Sequence, residues 1–191
     1  MGNDATKVSA GKPVVTGAIS FAPVGTTLPT DASTALDAAF KQVGYASDDG
    51  VTNSLNKEVT KIKAWGGDTV LVLNNSMDDQ FKFKMLQTID EAALKAVYGE
   101  DNVTITPAAG GQPEQIAINV NNAQQSPKSW VIDMILNGGA LKRIVIPTAT
   151  VESVGDIVYK DDEAIGYDVT LAAGADTAGN THYEYITGAA E

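Results

Sequence analysis

The stretch Asp79-Gln80-Phe81-Lys82-Phe83-Lys84-Met85 decides the fold class. In an extended chain, Phe81, Phe83 and Met85 fall on one face and the lysines on the other, the period-two pattern of a half-buried strand. Gln115-Ile116-Ala117-Ile118-Asn119-Val120 alternates in the same way. Thr69-Val70-Leu71-Val72-Leu73 is denser in apolar residues, the composition of a strand covered on both faces. Residues 130–136 and 142–146 flank Asn137-Gly138-Gly139, which accepts positive φ and predicts a hairpin. A second hairpin is predicted where residues 155–160 meet 164–171 across the polar corner Asp161-Asp162-Glu163. Tyr183 and Tyr185 alternate in a last short strand. The chain reads as mainly β and antiparallel.

One helix is predicted, over about residues 89–98. Thr88 and Glu91 have the spacing of a capping box, and Ile89, Ala92, Ala93, Ala96 and Val97 repeat on one face. Gly99 is placed to end the helix. So short a helix is marginal alone and must pack on the sheet. A shorter helical stretch is expected around Leu36, Ala39, Phe40 and Val43, and residues 106–113 read as a loop.

Composition narrows the function. The 191 residues suit a single domain, with 43% apolar and 19% charged residues, a globular balance. No apolar run approaches the ~18 residues of a helical membrane span. No apolar core follows the charges of the first residues, so a signal peptide is not expected. Cysteine is absent, which removes disulfides, thiolate metal sites and thiol catalysis together. Thirteen basic residues against 24 acidic ones leave a net charge of −11, and Arg143 is the only arginine. Such a chain is poorly equipped to grip nucleic acid, which needs several cationic phosphate contacts. Residues 151–191 hold nine acids against Lys160 alone, so most of the negative field comes from the last fifth of the chain.

No catalytic constellation stands out. His182 is the only histidine and lies in an expected edge strand, with no nucleophile elbow to serve. Asp48-Asp49, Asp78-Asp79 and Asp161-Asp162-Glu163 sit at predicted turns without the alternating spacing of a calcium loop. There is no phosphate-binding glycine motif, and Gly66-Gly67, Gly110-Gly111 and Gly138-Gly139 read as turn glycines. Trp65, Phe81, Phe83 and Trp130 are expected as core or interface anchors. Neither an enzyme, a cofactor nor a metal is indicated. Residues 44–67 are unusual: too polar and poorly periodic for a core, and too long for an ordinary loop. Two readings stand, a surface excursion or an interaction arm that orders against a partner.

Several stretches resemble the major tail proteins, or tail tube proteins, of siphophages that infect Gram-positive bacteria. They are Gly25-Thr26-Thr27-Leu28-Pro29-Thr30-Asp31-Ala32, Ala35-Leu36-Asp37-Ala38-Ala39-Phe40-Lys41, Val43-Gly44-Tyr45-Ala46-Ser47-Asp48-Asp49-Gly50 and Ile62-Lys63-Ala64-Trp65-Gly66-Gly67-Asp68. The resemblance is close over about residues 17–99 and diffuse beyond, and the Gly/Ala-rich C-terminus matches nothing in it. It implies a β-sandwich or partly closed barrel with one flanking helix, in hexameric rings that stack into a hollow tube conducting DNA from capsid to host. It also implies a tape-measure protein, a tail-tip initiator and a tail terminator as partners, a place in the virion, and synthesis in the host cytoplasm. The family's long loop between rings would fall on residues 44–67, making Tyr45, Asp48, Asp49, Val51, Leu55, Lys61, Ile62, Lys63 and Trp65 candidates for inter-ring or inter-subunit contact.

Under this resemblance the acidity gains a role. A wall rich in Lys and Arg would hold the phosphates, whereas an acidic wall repels the duplex within a Debye length of about 8 Å. Glu152, Asp156, Asp161, Asp162, Glu163 and Asp168 are the candidates for the lumen, with Asp156 and Asp168 favoured for the wall and the corner acids for a ring edge. Tubes of contractile injection systems share the expected fold. The alternative from another class is a stand-alone β-sandwich binding module, a capsid decoration or a carbohydrate-recognising surface domain. It would leave residues 44–67 disordered and Trp65 exposed on a ligand face.

Overall fold

The computed structural model describes residues 3–14 and 17–188. The termini, expected to be extended, lie partly outside these residues. The strands in chain order are β1 (Lys12–Pro13), β2 (Ile19–Pro23), β3 (Lys41–Gln42), β4 (Ala46–Lys63), β5 (Thr69–Met85), β6 (Val103–Thr106), β7 (Gln115–Ile118), β8 (Lys128–Ile135), β9 (Leu141–Val154), β10 (Tyr167–Ala173) and β11 (Tyr183–Ile186). Among the described residues the one α-helix, α1, is Glu91–Tyr98. The main sheet runs β3-β2-β8-β9-β10-β5-β4, with β1 added to β8 and β11 to β9, while β6 and β7 pair separately. Every pairing is antiparallel. The ends of the main sheet, β3 and β4, do not pair with each other, so the sheet is open.

Alternation builds the core as the sequence indicates. Phe81, Phe83 and Met85 are buried, as are Ile19 and Phe21 of β2, Trp130 and Ile132 of β8, and Val169 and Leu171 of β10. Trp130 lies between Phe21 and Phe83, with ring centroids 5.4 and 5.8 Å away. Helix α1 adds Ala93, Leu94, Ala96 and Val97 to the same cluster. Its cap is Asp90, whose Oδ1 accepts from the Ala93 N–H at 3.0 Å, in place of the expected Thr88–Glu91 box. Aspartate caps better than threonine, and Glu91 is engaged instead by Lys95 at 2.7 Å. At the other end the Gly99 N–H reaches Lys95 O, with φ at +94°. Lys128 Nζ, Gln125 Nε2 and Asn102 Nδ2 each donate at 2.7 Å to a last-turn carbonyl, those of Lys95, Val97 and Tyr98. Burial pushes the Lys128 ammonium below its usual value.

Three expectations are corrected. The stretch around Leu36–Val43 is not helical, because side chains take its backbone groups first. Asp31 Oδ1 accepts from the Ser33 N–H at 2.7 Å and Asp37 Oδ1 from the Ala39 N–H at 2.9 Å, local bonds that compete with a helix. Arg143 then pins the loop, donating to Asp31 O and Thr34 O while it pairs with Asp133. The second hairpin exists, but its first arm is the far half of β9, and residues 155–166 form an irregular connection to β10. Strand β9 passes through Pro147 where its register with β8 shifts and where β11 hands its edge to β10, a position needing no ladder donor. Finally, residues 44–67 are no loop: most of them are β4, paired with β5 along its length.

The alternation makes a direct prediction. Phe83→Ala should cost about 3–5 kcal/mol, whereas Lys82→Ala on the opposite face should stay within about 0.5 kcal/mol. Urea unfolding of the dilute protein checks both; equal midpoint shifts would contradict the assigned faces.

Candidate functional site

Strands β4 and β5 are far longer than their neighbours. Strand β10 pairs with β5 only from Met85 to Gln80, so beyond that point β4 and β5 continue as a two-stranded ribbon. From Leu55 to Trp65 this arm reaches about 33 Å, at roughly 3.3 Å per residue. Its turn is closed by the Ala64 N–H on Asp68 O at 2.8 Å and the Gly67 N–H on Ala64 O at 2.9 Å. Gly67 sits at φ +95°, which its lack of a Cβ permits.

The arm carries bare apolar side chains among polar ones. Trp65 at the turn is fully exposed, Val70 is 63% exposed, and Leu55, Val59, Ile62, Leu71, Val72, Leu73 and Met77 are exposed as well. The register sets Lys57 opposite Met77 and Lys61 opposite Val72, so by alternation one face carries Leu55, Val59, Val72 and Met77 with two lysines. Ile62, Leu71 and Leu73 occupy the other face, beside Glu58 and Thr60. Residues 69–73, expected to be covered on both faces, are therefore uncovered on both. The whole chain exposes 12246 Å². A compact monomer of this mass would expose about 8,700 Å².

The root of the arm is held by a buried carboxylate. Asp79 is 2% exposed and accepts from Asn53 Nδ2 and Thr181 Oγ1, each at 2.7 Å, with His182 Nδ1 at 2.5 Å. The His182 ring also meets Phe81 edge-on at 5.2 Å. Asp79, expected at a turn, is thus an interior strand residue, and His182 is its partner just before β11. Burial pushes the carboxyl up, but the bonds from Thr181, His182 and Asn53 and the charge of His182 outweigh it, leaving it below its usual value. Nothing in the sequence pairs Asp79 with His182; they are 103 positions apart.

The other arm candidates cluster below the ribbon. Six residues of β4, Ala46 to Val51, face only three of β5, Met85 to Phe83, so Asp48 and Asp49 lie in a bulge with Gly50 at φ +73°. Ser47 Oγ bonds both carboxylates, Tyr45 is exposed, and Val51 packs on the core. Lys63 ends β4 beside the turn.

The acidic candidates divide into two groups. Glu152 and Asp168 share the outer face of the sheet, where Glu152 accepts from Gln80 Nε2 at 2.6 Å and Asp168 lies opposite Lys84. Asp156, Asp161, Asp162 and Glu163 are exposed in the connection between β9 and β10. Glu163 is held below its usual value by Lys160, 2.8 Å away, with help from Lys84 at 3.7 Å. Among the described residues, no group of three or more His, Asp or Glu side chains is arranged to hold a metal.

The described residues thus present an open sheet, a ribbon with bare apolar side chains on both faces, and more exposed surface than a compact monomer of this mass. Residues 1–190 match the family described as phage tail tube protein, and the chain belongs to that family. It is a structural component of the phage virion, built into the tail tube. No curated protein matches the chain.

The Asp79 cluster supports a pH-dependent prediction. The folded chain holds the Asp79 proton less tightly than the unfolded one, so this contribution is complete above about pH 4 and is lost as pH falls through the depressed value. Asp79→Asn should lower stability at pH 7 by about 2–3 kcal/mol, because an amide offers one acceptor oxygen to three donors. The gap from wild type should narrow in urea titrations near pH 3; a constant gap would contradict the arrangement.

Proposed function

We propose that this chain forms hexameric rings that stack into the hollow tail tube of a siphophage, and that genomic DNA passes through the bore without specific binding. The chain acts as one tail tube domain, with residues 44–67 supplying the root and the first strand of an arm. The supporting observation is the arm itself, a paired ribbon with apolar residues on both faces and no cover for either in the isolated chain. The surplus of exposed surface is of the order of 3,000 Å², within the range that permanent interfaces bury. A ribbon of this kind needs neighbours on two sides, which a stack of rings supplies. A stand-alone module, by contrast, would carry the ribbon permanently in water, where it invites aggregation.

Within such a tube, Tyr45, Asp48, Asp49, Val51, Leu55, Lys61, Ile62, Lys63 and Trp65 supply inter-ring or inter-subunit contacts. The exposed members act directly; Val51, packed on the core, positions the bulge. Glu152, Asp156 and Asp168 serve as lumen acids. Their field is tempered by Lys82 and Lys84 on the same outer face, so the wall repels DNA weakly and only at close range. Asp161, Asp162 and Glu163 belong to a ring edge. Tube length and ends are set by a tape-measure protein, a tail-tip initiator and a tail terminator, and the subunit is made in the host cytoplasm.

Electron microscopy of the concentrated protein, with mass photometry of the same sample, tests this reading. Hollow tubes with a regular ring repeat are expected, and solely monomeric particles at every concentration, even with tail-tip complexes added, would overturn it. The paired variant Leu71→Asp/Val72→Asp places one charge on each arm face. It should reduce tube yield by about tenfold or more, since each buried unpaired charge is costly. Its unfolding midpoint should stay near wild type, because both residues are exposed in the monomer.

A further inference from the structure

The arm and the acidic connection lie at opposite ends of the same strands. Strand β5 begins at the arm's turn and ends at Met85, which pairs with Tyr167, the first residue of β10. Strand β9 ends at Val154, paired with Val169. Residues 155–166 therefore cap the end of the sheet from which the arm points away.

These two ends are chemically complementary. The ribbon, residues 55–79, holds three lysines against four acids and is nearly neutral, while the rest of the chain holds ten basic residues against 20 acidic ones. Lys57 and Lys61 share one face of the ribbon, whereas Glu58 and Asp78 lie on the other face and Asp79 is buried at the root. The lysine-bearing face alternates Lys57 and Lys61 with apolar residues. The connection matches that pattern in reverse: Tyr159 is 74% exposed and Val158 is exposed, next to the free-standing carboxylates of Asp161 and Asp162. Glu163 is already engaged by Lys84 and Lys160, which leaves the two aspartates as the acceptors.

We propose that the lysine-bearing face of the arm seats on the 155–166 connection of a second copy, with Lys57 and Lys61 against Asp161 and Asp162 and the ribbon's apolar residues against Val158 and Tyr159. This rests on the arm being a stacking element and names its receiving surface. The contact is heterologous, one end of the subunit on the opposite end of the next. Repeated, it generates an open stack and not a closed pair. Opposite charges at the rim fix register and speed encounter, while the apolar residues carry the affinity.

A charge-swap series tests it with full-length chains. Lys57→Glu/Lys61→Glu and Asp161→Lys/Asp162→Lys should each reduce tube yield by about tenfold or more, because like charges meet across the contact. A chain carrying all four substitutions should regain near-wild-type yield, since both partners are reversed together. Recovery separates pairing from general damage, as all four residues are exposed in the monomer. Carbodiimide cross-linking of wild-type tubes should join Lys57 or Lys61 of one chain to Asp161 or Asp162 of another. The proposal is overturned if the aspartate reversal leaves assembly intact, if the fourfold variant is no better than the lysine reversal, or if these lysines link only to other carboxylates. Normal tubes from Leu71→Asp/Val72→Asp would instead remove the arm reading itself.

Discussion

A β-strand has two faces and two edges, and β5 has both edges paired and one face in the core only over its last six residues. From Gln80 to Met85 it lies between β10 and β4 with Phe81, Phe83 and Met85 in the core. From Thr69 to Met77 it keeps the β4 edge and loses everything else. Backbone pairing holds the ribbon together, but a two-stranded sheet has too little packing to be stable by itself. The order of the outer part therefore depends on the inner part, and within the single chain its side chains stay exposed. Open sheet, exposed ribbon and membership of a tube-forming family are one fact seen at three scales.

The change of environment along β5 falls at Asp79. A carboxylate at a strand position facing the core costs free energy unless donors surround it. Asn53 comes from the facing strand, and Thr181 and His182 come from the segment leading into β11. That arrangement ties the arm's root to the last strand of the sheet, across 102 or more positions of sequence. The arm is thereby aimed by a satisfied polar cluster, which is directional, and not by apolar packing alone, which is not. Below it, the bulge at Asp48-Asp49-Gly50 lets β4 absorb three extra residues before the regular ladder starts.

What was legible in the sequence follows from how local each feature is. Alternation at Phe81–Met85, the Asn137-Gly138-Gly139 turn and the stripe of α1 are set by neighbours within a few positions, and each gives the element found. The polar run from Ala46 to Lys63 carries no alternation because much of it faces water on both sides in the single chain, so it resembles a loop while forming the longest strand. The dense run at Thr69–Leu73 speaks of cover on both faces, a property the isolated chain does not have. The match of Asp79 to His182 is invisible locally, since only the sheet register brings them together. Leu36–Val43 fails as a helix for a related reason: Asp31 and Asp37 engage nearby backbone N–H groups, a competition that hydrophobic spacing does not record.

Charge placement along the strand direction bears on how such a subunit avoids the wrong assembly. A chain at −11 repels its own copies at every random encounter, which keeps a bare apolar ribbon from gathering others side by side. Lys57 and Lys61, together on one face of the arm, lower that barrier locally. An approach in which arm meets arm brings Lys57 and Lys61 against their own kind. An approach of acidic connection to acidic connection is opposed by Asp156, Asp161 and Asp162 on both sides. In the proposed contact, the approach of one end to the other brings unlike charges together and covers apolar surface in the same step. Under that proposal uneven charge on an open sheet selects a direction of growth, and a directional, repeating contact is the physical requirement for a tube of uniform bore.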